Sequence, residues 1–398
     1  MTPDNLKAWQ TLLSEHQPLI DKAAAVDRTT VTGIASLRKH ADPALAHLAA
    51  QLAEARVRAV PKLGEERAAS LIADIEGVEQ ASSLRTARLK ADRFKAAGAS
   101  RVIDLCSGIG IDAMGCTDAG LDVLAVDRDP VRAWMTARNA RCQIAAADAA
   151  TIDTTDAWLH IDPARRSDGR RAASLEEYEP GPATIAKLIR NTRGACVKLS
   201  PALDVEEATT HLGDAAPWSL TFVSEAGRLV QSLWWSGQLA QGDEPGEKQA
   251  LRIDNDGTHE LSGTPIFPLL GPVPENGYLH TLDPAAERAD MATILCARHD
   301  GIMPHPRAGL VASESVIDSP WLTAFRVETE MGWREDNVRK WLSRHHTGVV
   351  EVKPRGIKLD TDALQKSLRG PKKKGGTKRT VFVTRIGEKV RCWITRRV

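Results

Sequence analysis

No stretch of the 398 residues approaches the roughly 20 apolar residues that a bilayer-spanning helix needs. The opening segment, MTPDNLKAWQ, has no basic stretch followed by an apolar one, so no secretory signal is read there. The six cysteines, Cys106, Cys116, Cys142, Cys196, Cys296 and Cys392, form no C-x-x-C pair and match no zinc spacing. Reduced, mostly buried thiols in a cytoplasmic protein without a metal are expected. Low-complexity tracts and internal repeats are also absent. At roughly 100–200 residues per domain, the length predicts two or three domains, with a central one large enough to bury a core. A strong overall charge is missing too, since the formal net charge is +1.

That near-neutral balance hides an uneven distribution. From residue 366 onward there are 12 Lys and Arg against one acid, Glu388, whereas the remainder holds 41 basic and 51 acidic residues. A basic tail on an acidic body predicts a polyanionic partner, or else a solvated tail that aids solubility.

Residues 1–97 are dominated by Ala, Leu, Arg, Lys and Glu and predict a helical region. Leu45, Leu48, Leu52 and Ala55 recur at three and four. A further helix is expected over 83–97, with Gly98 as its stop. Strand and helix then alternate. RVIDLC (101–106), DVLAVD (122–127), QIAAAD (143–148), AWLHID (157–162) and ACVKLS (195–200) are strand candidates. Helices are expected at 111–119 and after Asp129-Pro130. This alternation predicts a parallel sheet covered on both faces. LTFVSE and RLVQSLWW, flanking Ala226-Gly227, predict an antiparallel hairpin that closes it. The expected domains are an N-terminal helical region (1–97), a Rossmann-like domain (98–238), a linker or small β insertion (239–277) and a C-terminal α+β domain (278–398). Helical runs near 284–299 and 334–345, and two strands around Gly387-Glu388, are expected in the last of these.

The string VIDLCSGIGIDA (102–113) places a glycine turn between strand and helix. Gly108 and Gly110 let backbone pass close to a ligand. Asp127, ending the next strand, suits the two hydroxyls of a ribose. Gly108, Gly110 and Ala113 also satisfy the dinucleotide pattern, with Asp127 about 20 residues on. The acids decide between the two. Asp104 inside the strand, Asp112 opening the helix and Asp148 ending the third strand suit a cationic sulfonium ligand that carries an ammonium group. A pyrophosphate at the helix N-terminus would be repelled by Asp112. S-adenosylmethionine is therefore the expected cofactor, and Asp112 and Asp129 can alternatively be read as simple helix caps.

The fourth strand ends in HIDPARR (160–166). Amino-directed methyltransferases carry an acid or amide, two prolines and an aromatic at this corner. There the acid and the neighbouring backbone carbonyl align an amine with the methyl group, a catalysis of positioning. Asp162 and Pro163 keep the first half of that pattern and are the candidate catalytic residues. Ala164 and Arg165 depart from it, which leaves the target atom open. Arg165, Arg166, Arg170 and Arg171 in one short loop favour an anionic substrate over a plain solvated loop.

The strings DLCSGIGID (104–112), DPARR (162–166) and KLSP (198–201), with EQASSLRTARLKADRF (79–94) upstream, resemble bacterial class I S-adenosylmethionine-dependent methyltransferases that carry a C-terminal THUMP-like domain. RAGLVA (307–312), WLTAF (321–325) and KPRGIKLD (353–360) resemble the THUMP-like part. The catalytic domain is also similar to trimethylguanosine-synthase-like enzymes, which methylate a guanine amine. The resemblance implies that Gln80 and Ser82 (or Ser83) help hold the cofactor, with Ser107, Gly108, Gly110, Asp127 and Arg128 around it. It implies an RNA substrate, such as tRNA or rRNA, by analogy only. On physical grounds Lys372, Lys373 and Lys374 can neutralise phosphates, and Trp393 and Phe382 can either stack on bases or belong to a core. The leading expectation is an RNA methyltransferase acting on a base amine. A methyltransferase for a small molecule or protein, and a non-catalytic RNA-binding protein with a vestigial pocket, are the alternatives.

Overall fold

The computed structural model describes residues 3–26, 31–39, 41–165, 174–215, 217–240, 246–306, 308–369 and 376–398. They form two compact units, Met1–Leu220 with Gln231–Gly246, and Thr221–Val230 with Glu247–Val398. Among the described residues no helix is long and apolar enough to cross a membrane.

The first unit opens with seven helices: α1 (Pro3–Glu15), α2 (Gln17–Ala25), α3 (Val31–Arg38), α4 (Pro43–Leu63), α5 (Glu65–Ser70), α6 (Ile75–Gln80) and α7 (Leu84–Ala96). The long α4 starts where Asp42 accepts a hydrogen bond from the Ala44 N–H at 2.8 Å, ahead of Pro43 in the first turn. Its buried stripe includes Leu48, Leu52, Ala55 and Ala59, one face at helical spacing. Ser83 caps α7 by accepting from the Thr86 N–H at 3.1 Å, and Gly98, with φ +89°, turns the chain after it.

The sheet follows: β1 (Arg101–Leu105), α8 (Ile111–Asp118), β2 (Asp122–Asp127), α9 (Pro130–Ala140), β3 (Gln143–Ala146), β4 (Trp158–Ile161), the short pair β5 (Ala164–Arg165) and β6 (Tyr178–Glu179), α10 (Pro182–Arg190), β7 (Gly194–Leu199), α11 (Val205–Leu212), β8 (Trp218–Glu225) and β9 (Arg228–Gly237). Beyond β8, which flanks β9, the strand order runs β9-β7-β4-β1-β2-β3. All neighbours in this run are parallel except β9, which runs antiparallel to β7. This is the class I methyltransferase sheet that the resemblance implies. The order reverses beside β1, which pairs with both β2 and β4, and doubly wound sheets bind ligands at the C-terminal strand ends of such a switch point.

Helices α7 and α8 lie unusually close together. A Cβ on Gly115 would meet the carbonyl carbon of Ala87 at 2.7 Å, so only glycine permits the approach. That closeness sets Lys90 of α7 against Asp112 of α8.

The second unit contains the antiparallel pair β10 (Lys248–Asp254) and β11 (Gly257–Leu261), then β12 (Tyr278–Leu282), α12 (Pro284–Arg288), α13 (Ala292–Arg298), β13 (Leu310–Ser313), β14 (Leu322–Gly332), α14 (Glu335–Arg344), β15 (Thr347–Arg355), α15 (Thr361–Leu368), β16 (Thr377–Ile386) and β17 (Lys389–Arg397). Six strands form one sheet in the order β13-β12-β14-β17-β16-β15. The period of two in β16 and β17 splits their side chains between two apolar clusters. Val381, Val383, Cys392 and Ile394 pack with Val338 and Leu342 of α14, whereas Phe382 and Trp393 pack with Leu279 and Phe325.

The basic tail expected from composition is therefore not a tail. Most of it is β16 and β17, held inside the sheet by their alternating apolar residues. Phe382 and Trp393 are fully buried, which removes the stacking role and leaves the core one. Arg379 is buried as well and is spent on an ion pair with Glu328 at 2.5 Å. Lys372, Lys373 and Lys374 lie outside the described residues, as do Arg166, Arg170 and Arg171.

Candidate active site

Leu105 of β1 pairs with Val126 of β2 and Ile161 of β4, and Ile161 pairs with Val197 of β7. One residue further on, the strand ends bring Asp127, Cys106, Asp162 and Lys198 into a row along the C-terminal edge of the sheet. The glycine turn springs from this row. Gly108 has φ +59°, and a Cβ there would point into open space. Gly110 has φ +82°, and its Cβ would strike Thr136 of α9 at 2.9 Å. The polar face of α9 holds the turn: the Thr136 hydroxyl donates to the Gly108 carbonyl at 2.9 Å and the Asn139 amide to the Ile109 carbonyl at 2.8 Å. The Ser107 hydroxyl donates to Thr136 Oγ1 at 3.2 Å.

Asp127 is half-buried. Its Oδ2 accepts from the Gly108 N–H and its Oδ1 from the Asp129 N–H, each at 2.9 Å. These bonds fix the carboxylate and leave lone pairs on both oxygens. Burial pushes this carboxyl above the usual range, against the pull of the two N–H groups. Arg128 turns outward to pair with Glu179 of β6. Asp148 is exposed and caps the short turn after β3, accepting from the Ala150 N–H at 2.8 Å.

Four of the residues expected to touch a cofactor do something else. Asp104 is 1% exposed, and its Oδ1 lies 2.6 Å from His160 Nδ1 of β4. Asp112 is also buried, 2.5 Å from Lys90 Nζ, and its Oδ2 accepts from the Ser82 hydroxyl at 3.0 Å. Lys90 in turn lies 3.1 Å from His160 Nε2. Asp104, Asp112 and Ser82 thus belong to one buried network with Lys90 and His160. The pleat of β1 turns the Asp104 side chain toward His160 of β4, which in turn meets Lys90 of α7. Burial pushes the Asp104 carboxyl up, against the pull of His160. Burial alone would do the same to Asp112, but Lys90, His160 and Lys198 outweigh it and hold that carboxyl well below the usual range. Gln80 is the fourth. Its side-chain amide is exposed and donates to Glu76 at 3.1 Å, so its carbonyl, not its amide, enters the site.

Asp162 directly follows β4, and its N–H donates to the Leu105 carbonyl at 3.1 Å. Its Oδ2 accepts from Lys198 Nζ at 2.7 Å, and the same ammonium donates to the Gln80 carbonyl at 2.9 Å. Pro163 is buried. Arg165 pairs through its backbone with Tyr178, whose buried hydroxyl accepts from the Ser200 N–H at 2.7 Å. The chain after Asp162-Pro163 is thereby anchored to the KLSP end of β7. Lys90, His160 and Lys198 escaped the sequence reading of the site. The available signal was a charged or polar residue at an otherwise apolar position: Lys90 among Ala87, Ala91 and Phe94, His160 in WLHI, and Lys198 in ACVKL.

Two curated proteins from Mycobacterium tuberculosis, in strains CDC 1551 and H37Rv, are 30% identical to this chain over 342 residues, covering 83% of it and 90% of their own length. Both are named as uncharacterised S-adenosylmethionine-dependent methyltransferases. The chain belongs to this methyltransferase family. The fold of the methyltransferase agrees with the crystal structure of a presumed methyltransferase from Porphyromonas gingivalis W83, at a TM-score of 0.73 over 99% of this chain and 98% of that one, with 17% identity. Residues 322–397 match the family model described as THUMP domain-like. The enzyme class and the cofactor, S-adenosylmethionine, follow from the family. The glycine turn with its open Gly108, backed by a fixed Asp127, fits that cofactor.

Proposed function

We propose that this methyltransferase transfers a methyl group to a base amine of RNA, with Asp162 and the backbone at Pro163 orienting the amine. The observation that carries the reading is the state of the Asp162 carboxylate. Its Oδ2 is held by Lys198, and its Oδ1 takes no hydrogen bond among the described residues, at the C-terminal edge of the sheet. An ionised oxygen so placed accepts an amine N–H and turns the nitrogen lone pair toward the methyl donor. It can also receive the proton that the nitrogen sheds once methylated. Bound S-adenosylmethionine supplies the electrophilic methyl on its sulfonium. Asp127 would hold the ribose hydroxyls, the backbone of Ser107–Gly110 would pass along the cofactor, and Asp148 would accept from the adenine amine, with Arg128 at the rim.

RNA as the substrate class is supported by the THUMP domain-like match and by the excess of basic residues from 366 onward, with Arg165, Arg166 and Lys372–Lys374 as candidate phosphate contacts. The test is transfer of labelled methyl onto total cellular RNA by wild type and Asp162→Ala, with calorimetry of S-adenosylmethionine binding. Turnover is expected to fall by roughly 10²–10⁴-fold while cofactor affinity is kept. Undiminished turnover in Asp162→Ala would refute its role. Label appearing only on protein or small molecules would refute the RNA reading.

A further inference from the structure

We infer that Lys198 is a positioning residue that ties the Asp162 carboxylate to the segment beginning at Gln80, where α6 ends and the chain runs on to α7; this rests on the role proposed for Asp162. Lys198 lies on β7, an interior strand, and is 6% exposed. A buried ammonium is costly unless its donors are matched. Its two partners sit on different elements. One is Asp162 at the end of β4, at 2.7 Å; the other is the carbonyl of Gln80, the last residue of α6, at 2.9 Å.

The end of α6 is held by lysines from two sides. Lys62 of α4 donates to the carbonyls of Val78, Glu79 and Ala81 at 2.7, 3.0 and 2.6 Å. Lys198 takes the remaining one, Gln80. Carbonyls at a helix C-terminus lack intrahelical partners and carry partial negative charge, so two ammonium groups fix this end firmly. Directly after it come Ser82, in the buried network, and Ser83, the cap of α7. Movement of the segment around Gln80 is therefore transmitted by one ammonium to Oδ2 of Asp162, and the direction of the free Oδ1 follows. Neutralising a carboxylate would need only one of these bonds. The second is what makes Lys198 a bridge.

The test uses the full chain with Lys198→Met, which removes both bonds, Lys198→Gln, which keeps a donor without the charge, and Lys198→Arg. With total cellular RNA as methyl acceptor, Lys198→Met is expected to lower kcat at least 30-fold. KM for S-adenosylmethionine should stay within threefold, and Lys198→Arg should recover most of the loss. In the Asp162→Ala background, Lys198→Met should cost less than threefold more, because a residue acting through Asp162 has nothing left to position. Full additivity, or unchanged kcat in Lys198→Met, overturns the inference. Amide exchange at Ala81, whose N–H bonds the Gly77 carbonyl, needs no acceptor. It should accelerate at least tenfold in Lys198→Met and less in Lys198→Gln, with the amides of β10 unchanged. Unaltered exchange at Ala81 also overturns the bridge, whatever the RNA assay gives. Active Asp162→Ala with accelerated exchange would instead sink the proposed function and leave the bridge standing.

Discussion

The two large sheets among the described residues use charge in opposite ways. In the first unit, Asp104, His160, Lys90 and Asp112 are buried against the sheet in one network, and Lys198 is buried nearby on Asp162 and the Gln80 carbonyl. In the six-stranded sheet of the second unit, the packing residues of both clusters are apolar, and Arg379 with Glu328 is the main charged pair turned toward the interior. An apolar core is the cheaper way to hold a sheet together, because a buried ion pair often adds nothing over well-packed hydrophobes. The charged interior of the first unit therefore marks where position matters more than stability: it lies under the edge that carries Asp127 and Asp162.

Breaking the charged interior on one side should have the largest effect on stability. Lys90→Met strands Asp112 and should lose about 3–5 kcal/mol by urea denaturation, with most of it regained in Lys90→Met/Asp112→Leu. A single variant as stable as wild type would mean that the network carries no interior charge. The same pair gives a pH signature. A carboxyl whose folded value is depressed contributes stability that is fully present above its unfolded value, near 3.9, and is lost as pH falls through the folded one. Wild type should therefore lose stability steeply below about pH 4, and Lys90→Met should show a shallower slope there; equal slopes would detach Asp112 from Lys90. Next in size, Asp127→Ala should weaken S-adenosylmethionine binding about 10–100-fold in calorimetry with the fold intact, since an ionised acceptor is lost. Smallest is a change in the apolar sheet. Phe382→Leu should cost about 1 kcal/mol and leave cofactor affinity unchanged. A cofactor effect from Phe382→Leu would blur the contrast between the two regions.

Much of the first unit was legible in the chain. β2 matches DVLAVD residue for residue, Asp129-Pro130 does open α9, and the pair flanking Ala226-Gly227 is a hairpin with positive φ at both turn residues. Local chemistry decides these features, so sequence reveals them. The row Asp127–Asp162 was legible for the same reason, because Asp127 ends β2 and Asp162 directly follows β4. What sequence hid was direction. Nothing in VIDLC says which face of the sheet Asp104 takes, and that alone separates a ligand contact from a partner of His160. Nor does AEARVRAVPKLGE announce that Lys62 and the distant Lys198 close the same helix end. Phe382 and Trp393 were ambiguous until the alternation of β16 and β17 was seen to bury both.

The place of β17, between β14 and β16, bears on how the basic end of the chain can be interrogated. Cutting the protein at residue 366 would remove two adjacent interior strands, leave β15 with no neighbour and open both apolar clusters to water. Lost retention on heparin or tRNA after such a cut would report unfolding as readily as missing phosphate contacts. Charge reversal at exposed positions such as Arg385, Lys389 and Arg396 keeps every ladder intact, so any change in polyanion retention then belongs to charge alone.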